Sequence, residues 1–554
     1  MDNSSTISFQ TQLPWGSHDF AISTLVSFHS TLVLVLLLAP LALATLKITT
    51  RKTYSNRAPL PPGPTPWPVI GNLPEIWKYK PAYRWIHDLM KQLDTGIACI
   101  RLANIHVIPV TSPEIAREFL KKYDSVFASR PLTMASELAS RGFLSIILTP
   151  WGDQWKKMRR VVTSNLMRPE ILNWLLHKRT QEADNLVRFI YNQCVNPEKD
   201  SSNGSVINLR LAGRQYTGNV IRRMMFNKRY FGKSKEDGGP GHEEEEHVES
   251  VFTVLIYLYS FALSDYVPWL RPLDLDGHEK IVSEALRIIN GYHDPIIDER
   301  VQQWREGKKK EPEDWLDAFI LAKNSDGKPA LSVEEIKAQC TELMLATVDN
   351  PANAAEWAMA EMINQPETLQ KAIEEIDGVV GKDRLVQEAD IPKLNYVKAC
   401  AREALRLHPM AAFNVPHVSN ADTIVAGYFI PKGSHVLLSR VGLGRNPKVW
   451  DEPFKFKPER HFKDASMEVN LTETELRFIS FTTGRRGCIG AALGTELTIM
   501  LLARLIHGFA WKVQPDEAKI DLSESEDTLF LAKPLHLLAK PRLSAAVYNQ
   551  LNCN

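Results

Sequence analysis

Cysteine is scarce in this chain. Six thiols, Cys99, Cys194, Cys340, Cys400, Cys488 and Cys553, are spread over 554 residues without a Cys-x-x-Cys pair. That spacing excludes a disulfide framework and suits a reducing compartment. Charge of one sign is also lacking: the formal net charge is +1, so no global field points to nucleic acid. There is no internal repeat or linker to divide the chain, and no glycine-rich dinucleotide or flavin fingerprint. The low-complexity stretch from Gly232 to Glu246 reads as a solvated loop leading into a helix start.

What is present is apolar. Hydrophobic residues make up 44% of the chain, and helical patterns outnumber strand patterns, which predicts a mainly α protein with a smaller β region and one large core. From Phe20 to Leu46 the chain is long and apolar enough to cross a bilayer of roughly 30 Å as one helix. A cleaved signal peptide is the competing reading, but such signals carry positive charge first, whereas here Asp2 and Asp19 precede the run. Lys47, Arg51, Lys52 and Arg57 follow it, which places the N-terminus in the lumen and the remainder in the cytosol. Next comes a run of prolines, Pro59 to Pro68, a semi-rigid spacer rather than a ligand for a partner domain. The expected organisation is a lumenal tail over 1–19, a signal anchor over 20–46, a basic and proline-rich hinge over 47–72 and a single large domain over 73–548.

The segment Phe481-Thr-Thr-Gly-Arg-Arg-Gly-Cys488-Ile-Gly490 carries the chemistry. A free thiol titrates near 8.5, so a metal-bound thiolate needs cations and backbone amides around it. The apolar stretch from Ala491 reads as a long helix with Cys488 at its positive end. Gly484, Gly487 and Gly490 let the backbone turn and approach a flat cofactor, and Arg486 can pair with a carboxylate on it. A buried structural cysteine is the plain alternative.

The segment matches, at every fixed position, the haem-binding signature of the cytochrome P-450 superfamily, Phe-x-x-Gly-x-Arg-x-Cys-x-Gly. Glu403-Ala-Leu-Arg406 resembles its Glu-x-x-Arg pair, with Arg460 as third partner, and Trp155-Lys-Lys-Met-Arg159 its Trp-x-x-x-Arg helix. Singly, these are an ordinary helical ion pair and an amphipathic turn. The resemblance implies the P-450 fold and haem b. Cys488 would be the iron ligand. Trp155, Arg159, Arg486, Phe481 and Gly490 would bind the cofactor, and Glu403, Arg406 and Arg460 would form the structural core. It also implies a microsomal protein of the endoplasmic reticulum membrane, monomeric or loosely associated there. An NADPH-dependent flavoprotein reductase would dock near Lys156, Lys157 and Arg160.

The helix over the distal face opens with a capping box, Ser332 to Glu335, and runs into Ala346-Thr-Val-Asp349-Asn350-Pro351. Most monooxygenases of the superfamily place a threonine where Asn350 stands. Pro351 has no N–H, which predicts a kink leaving the Thr347 carbonyl free. Asp349 and Asn350 would then organise water in place of the missing hydroxyl. Two other readings stay open: proline fits an existing bulge without catalytic meaning, or oxygen activation has been lost.

Asn-Pro here, with Phe127-Ala-Ser-Arg130-Pro, His408 to His417 and Leu438-Ser-Arg-Val-Gly, is similar to the plant amino-acid N-monooxygenases. That branch implies two N-hydroxylations of an L-amino acid, phenylalanine, valine or isoleucine foremost, followed by loss of water and CO2 to the aldoxime, the first step towards cyanogenic glucosides or related defence compounds. A C-hydroxylase of another plant metabolite and a reductase-independent isomerase or dehydratase are the rival classes. The substrate's carboxylate needs a partner, because burying it unpaired costs several kcal/mol. Arg130 is the candidate, with a haem-propionate contact equally open; Arg141 reads as exposed. Ala346, Phe413, Asn414 and Phe530 are expected to line the substrate pocket, with Met410, Leu529 and Leu531 nearby.

Overall fold

Pairing between β1 (Ile100–Leu102), β2 (Ile105–Val110), β4 (His417–Val418) and β7 (His435–Leu438) builds the larger sheet of the computed structural model, in the order β1-β2-β7-β4. The structure describes residues 58–195, 205–235, 238–462, 468–515 and 517–552. Val107 lies opposite His435 in the parallel β2–β7 pair, and His417 faces Val436 across the antiparallel β4–β7 pair. A second sheet joins β3 (Ser205–Asn208), β9 (His536–Pro541) and β8 (Phe509–Lys512), and β5 (Thr423–Val425) with β6 (Tyr428–Ile430) forms a hairpin.

Helices supply the bulk. The principal ones are α1 (Ala82–Gln92), α2 (Met134–Ala139), α3 (Asp153–Asn165), α4 (Leu176–Val195), α5 (Leu209–Phe226), α6 (His242–Tyr257), α7 (His278–Arg305), α8 (Trp315–Leu321), α9 (Val333–Thr347), α10 (Asn350–Asn364), α11 (Pro366–Val380), α12 (Asn395–Leu407) and α13 (Ala491–Gly508). The main apolar core draws on α4, α5, α9, α10, α12 and α13, with Trp357, Met344, Leu497 and Leu502 inside. Helix α13 is apolar and long enough to cross a membrane by composition, but 72% of it is buried in the fold, so it is a core helix. Residues from Leu60 onward form one unit.

The expected single kinked helix is instead two. Helix α9 starts at the predicted capping box, with Ser332 accepting from the Glu335 amide and Glu335 from the Ser332 amide. It ends at Thr347, and α10 begins at Asn350 with Pro351 in its first turn. Proline is favoured there because its missing N–H falls among groups that have no intrahelical acceptor. The residue thus ends one helix and starts another.

The anchor and residues 47–57 lie outside the described residues. Over 58–66 the chain has no helix or strand, and it turns at Trp67 to Gly71. Glu244, expected on a solvated face, is buried and paired with Arg222 at 2.6 Å. Beside it, α6 and α7 bring His247 and His293 together, Nε2 to Nε2 at 3.0 Å, against Phe226 and Phe231. Burial holds both rings neutral, His293 at about 3 and His247 well below its usual range.

Candidate active site

Cys488 stands two residues before the cap of α13, its amide donating to the Phe481 carbonyl at 3.0 Å. Gly484 has φ +78°, and a Cβ there would lie 2.6 Å from the Leu120 carbonyl oxygen, so glycine is required. Phe481 packs its ring edge against Gly494, where an added Cβ would come within 3.1 Å. Burial pushes the Cys488 thiol up, while the Gly490 amide, Arg159 and Arg440 pull it down. The residue is deep enough for that desolvation, yet exposed. The thiol is thus surrounded by protein but accessible, on the wall of a recess.

A cluster of arginines rims that wall. Arg159 on α3 donates to the Gly487 carbonyl at 2.8 Å. Arg486 stacks on the Trp155 ring at 4.6 Å and donates to the carbonyls of Ala128, Ile146 and Thr149. Arg130 donates to those of Ile147, Val415 and Pro416. Burial and the neighbouring Arg130 push Arg486 down to about 8, and burial takes Arg130 to about 10. Positive charge is therefore in excess, a condition that an incoming carboxylate relieves.

The loop over 145–148 is held from both sides. Glu342 of α9 accepts from the amides of Ile146, Ile147 and Leu148 at 2.8–3.0 Å and from the Ser145 hydroxyl. Arg130 and Arg486 hold the carbonyls of Ile147 and Ile146. Peptide dipoles aligned between an anion and two cations fix the loop where the distal helix meets the cysteine side.

Below the loop, Glu403 accepts from Arg406 at 2.7 and 2.8 Å, Arg460 at 3.0 Å and His461 at 2.7 Å. Burial raises its carboxyl, but the hydrogen bonds from Arg406 and His461 win and hold it at about 2. Arg406 also reaches the carbonyls of Gly444, Pro453 and Lys455, tying α12 to the chain that leads into the cysteine loop.

At the helix break, Asn350 turns its amide back to donate to the Ala346 carbonyl at 2.6 Å, and Thr217 of α5 donates to the Val348 carbonyl at 2.5 Å. The carbonyls at the end of α9 thus gain side-chain partners. Asn350 Oδ1 and Asn353 Oδ1 are buried with no partner within the protein. Asp349 is buried and faces Arg214 at 3.6 Å; burial pushes its carboxyl up to about 6 against the pull of that arginine.

Phe413 stacks on His87 at 5.4 Å, and Asn414 accepts from Arg440 at 3.2 Å. Phe530 meets the Phe252 ring edge-on at 6.5 Å, with the Arg214 guanidinium 3.7 Å from the Phe252 ring centre. Arg141 is paired, not exposed: it grips Asp294 with two hydrogen bonds and reaches Glu334 at 3.1 Å. Lys157 is engaged by Glu335 at 2.6 Å; Lys156, paired with Asp153 at 3.0 Å, and Arg160 lie on the exposed face of α3.

The residues present fit haem b. The accessible Cys488 at a helix end suits the iron, Arg159, Arg486 and Arg130 gather positive charge for its carboxylates with Trp155 stacked on Arg486, and His417 Nε2 and Arg440 Nε are buried without partners. Glu342, Arg214, Thr217, His417 and Arg440 were not among the expected site residues. A lone acid in the apolar run Cys340 to Thr347, and a lone cation between an apolar strand and a glycine turn, were the available signals.

The cytochrome P450 family model matches residues 61–539. A phenylalanine N-monooxygenase of Arabidopsis thaliana is 65% identical over 492 residues, 88% of this chain and 92% of the relative. Isoleucine N-monooxygenase 1 of Lotus japonicus is 59% identical, covering 89% of this chain and 92% of its own. Valine N-monooxygenase 2 of Manihot esculenta is 54% identical, over 96% and 97%. Among solved structures, a zebra fish cytochrome P450 superposes with a TM-score of 0.67 at 21% identity, covering 84% of this chain and all of that one, a likeness of fold.

Proposed function

Because the chain belongs to the cytochrome P450 family, and within it to the amino-acid N-monooxygenases, we propose that it converts an L-amino acid to its aldoxime. Two N-hydroxylations, each using one O2 and one NADPH, give the N,N-dihydroxy amino acid, which loses water and CO2. Haem b bound through Cys488 supplies the oxygen activation, with electrons from NADPH delivered by a partner flavoprotein reductase. Phenylalanine is the first substrate to try, since the 65% identical relative carries that name, and isoleucine and valine, named in relatives at 59% and 54%, come next.

The observation that carries this reading is the closed helix break. Where a hydroxyl would stand, Asn350 presents an amide whose N–H side is engaged by Ala346 and whose oxygen is left as a buried acceptor. A buried acceptor without a partner costs about 1–3 kcal/mol, so water or a substrate N–H completes it when the pocket is filled. Asp349 keeps a carboxylate beside the break, and Phe530, Phe252 and Phe413 supply apolar surface for the side chain. The run over 20–46 is the membrane anchor of an endoplasmic-reticulum protein, and Lys156 with Arg160 faces the acidic reductase.

Membranes holding the full chain and a plant reductase, incubated with single L-amino acids with and without NADPH, test this by mass spectrometry of products. The expected result is an NADPH-dependent aldoxime from one or a few amino acids. No aldoxime from any, alongside a thiolate-type reduced carbon monoxide spectrum, overturns the reading.

A further inference from the structure

Arg440 follows the buried strand β7, and its own amide donates to the Ala412 carbonyl at 2.9 Å. Its guanidinium meets Asn414 Oδ1 through Nη2 at 3.2 Å, and its Nε is buried without a partner. Among the described residues no carboxylate lies within ion-pair distance of it. The neighbouring arginines of the cavity rim differ: Arg130 and Arg486 each have three backbone carbonyls, and Arg159 has one. Burial pushes Arg440 down to about 10, opposed by Cys488. Its side chain keeps partial exposure. A buried guanidinium with an idle Nε–H is costly, and the group that best fits its fork is a carboxylate, which accepts two parallel N–H bonds.

We propose that Arg440 is a carboxylate receptor on the cavity wall, held in aim by Asn414. Two carboxylates reach this cavity: a haem propionate, and the α-carboxylate of the amino acid. The second source rests on the proposed function; the first does not.

The test uses the purified full-length holoprotein, wild type, Arg440→Gln and Arg440→Lys. One arm follows transfer of ferric haem to excess apomyoglobin. The other titrates the Soret spin-state change with L-phenylalanine and with phenethylamine, the same amine without the carboxylate. If the partner is a propionate, Arg440→Gln speeds haem loss about tenfold or more and weakens both ligands alike. If it is the substrate, the L-phenylalanine Kd rises about 10- to 100-fold, the fold-change of a lost charged hydrogen bond, while phenethylamine is unmoved. Arg440→Lys, which keeps charge but not the fork, falls between, and it decides the matter if Arg440→Gln yields no haem protein. Less than a twofold change in both arms overturns the proposal, as does equal weakening of both ligands with haem retention intact. If the wild type binds neither L-phenylalanine nor any other amino acid, the functional reading fails and the haem arm still tests Arg440.

Discussion

Glu403 and Asn350 are polar side chains on long interior helices, yet their surroundings differ. Around Glu403 each carboxylate oxygen has charged donors, and Arg406 reaches three further carbonyls. On the distal side, Asn350 Oδ1, Asn353 Oδ1 and the Nδ1 atoms of His247 and His293 are buried without partners. A saturated network makes a scaffold. Polar atoms left over inside a protein mark either a ligand's place or a reserve of instability.

Removing a partner from the saturated side should have the largest effect. Glu403→Ala leaves Arg406, fully buried, without its counter-ion. Breaking a buried pair in this way costs about 3–5 kcal/mol, so thermal unfolding should show little or no cooperative transition and the thiolate-type carbon monoxide spectrum should vanish. Near-normal melting would erase the contrast.

The histidine pair predicts a smaller, pH-dependent loss. Both rings have folded pKa values below the unfolded value of about 6.5, so the unfolded chain takes up protons first and stability falls as pH drops below that value. Between pH 7 and 5.5 each ring should cost about 1–1.5 kcal/mol. Melting curves at the two pH values should converge in His293→Leu relative to wild type; equal spacing would show that the pair does not govern acid lability.

Asn350→Ala should have the mildest effect on stability, roughly 1 kcal/mol, because it removes one hydrogen bond at a helix end. Its signature is catalytic instead: aldoxime formed per NADPH should fall by roughly tenfold while haem content is kept. Unchanged coupling would make the break a structural accommodation of Pro351.

Legibility followed the same division. The cysteine loop, the Glu-x-x-Arg pair and the capping box are local patterns with fixed spacing, so their residues could be named and their helices anticipated. What the proline left open is closed from elsewhere: Thr217, 131 residues away, caps the Val348 carbonyl between the two helices. Arg141 was expected at the surface because its partners, Asp294 and Glu334, sit 153 and 193 residues distant. Glu342 and Arg440 escaped notice for that reason too, since a single charged residue in an apolar run has no meaning until its neighbours in space are known.

The sequence by itself determined the family and the place where the distal helix is disturbed, because these depend on motifs of fixed spacing and on the covalent properties of proline. Only the tertiary structure decided which buried groups are satisfied and which remain open, because hydrogen-bond partners converge from segments hundreds of residues apart, and the cost of leaving one unpaired exists only once water has been removed.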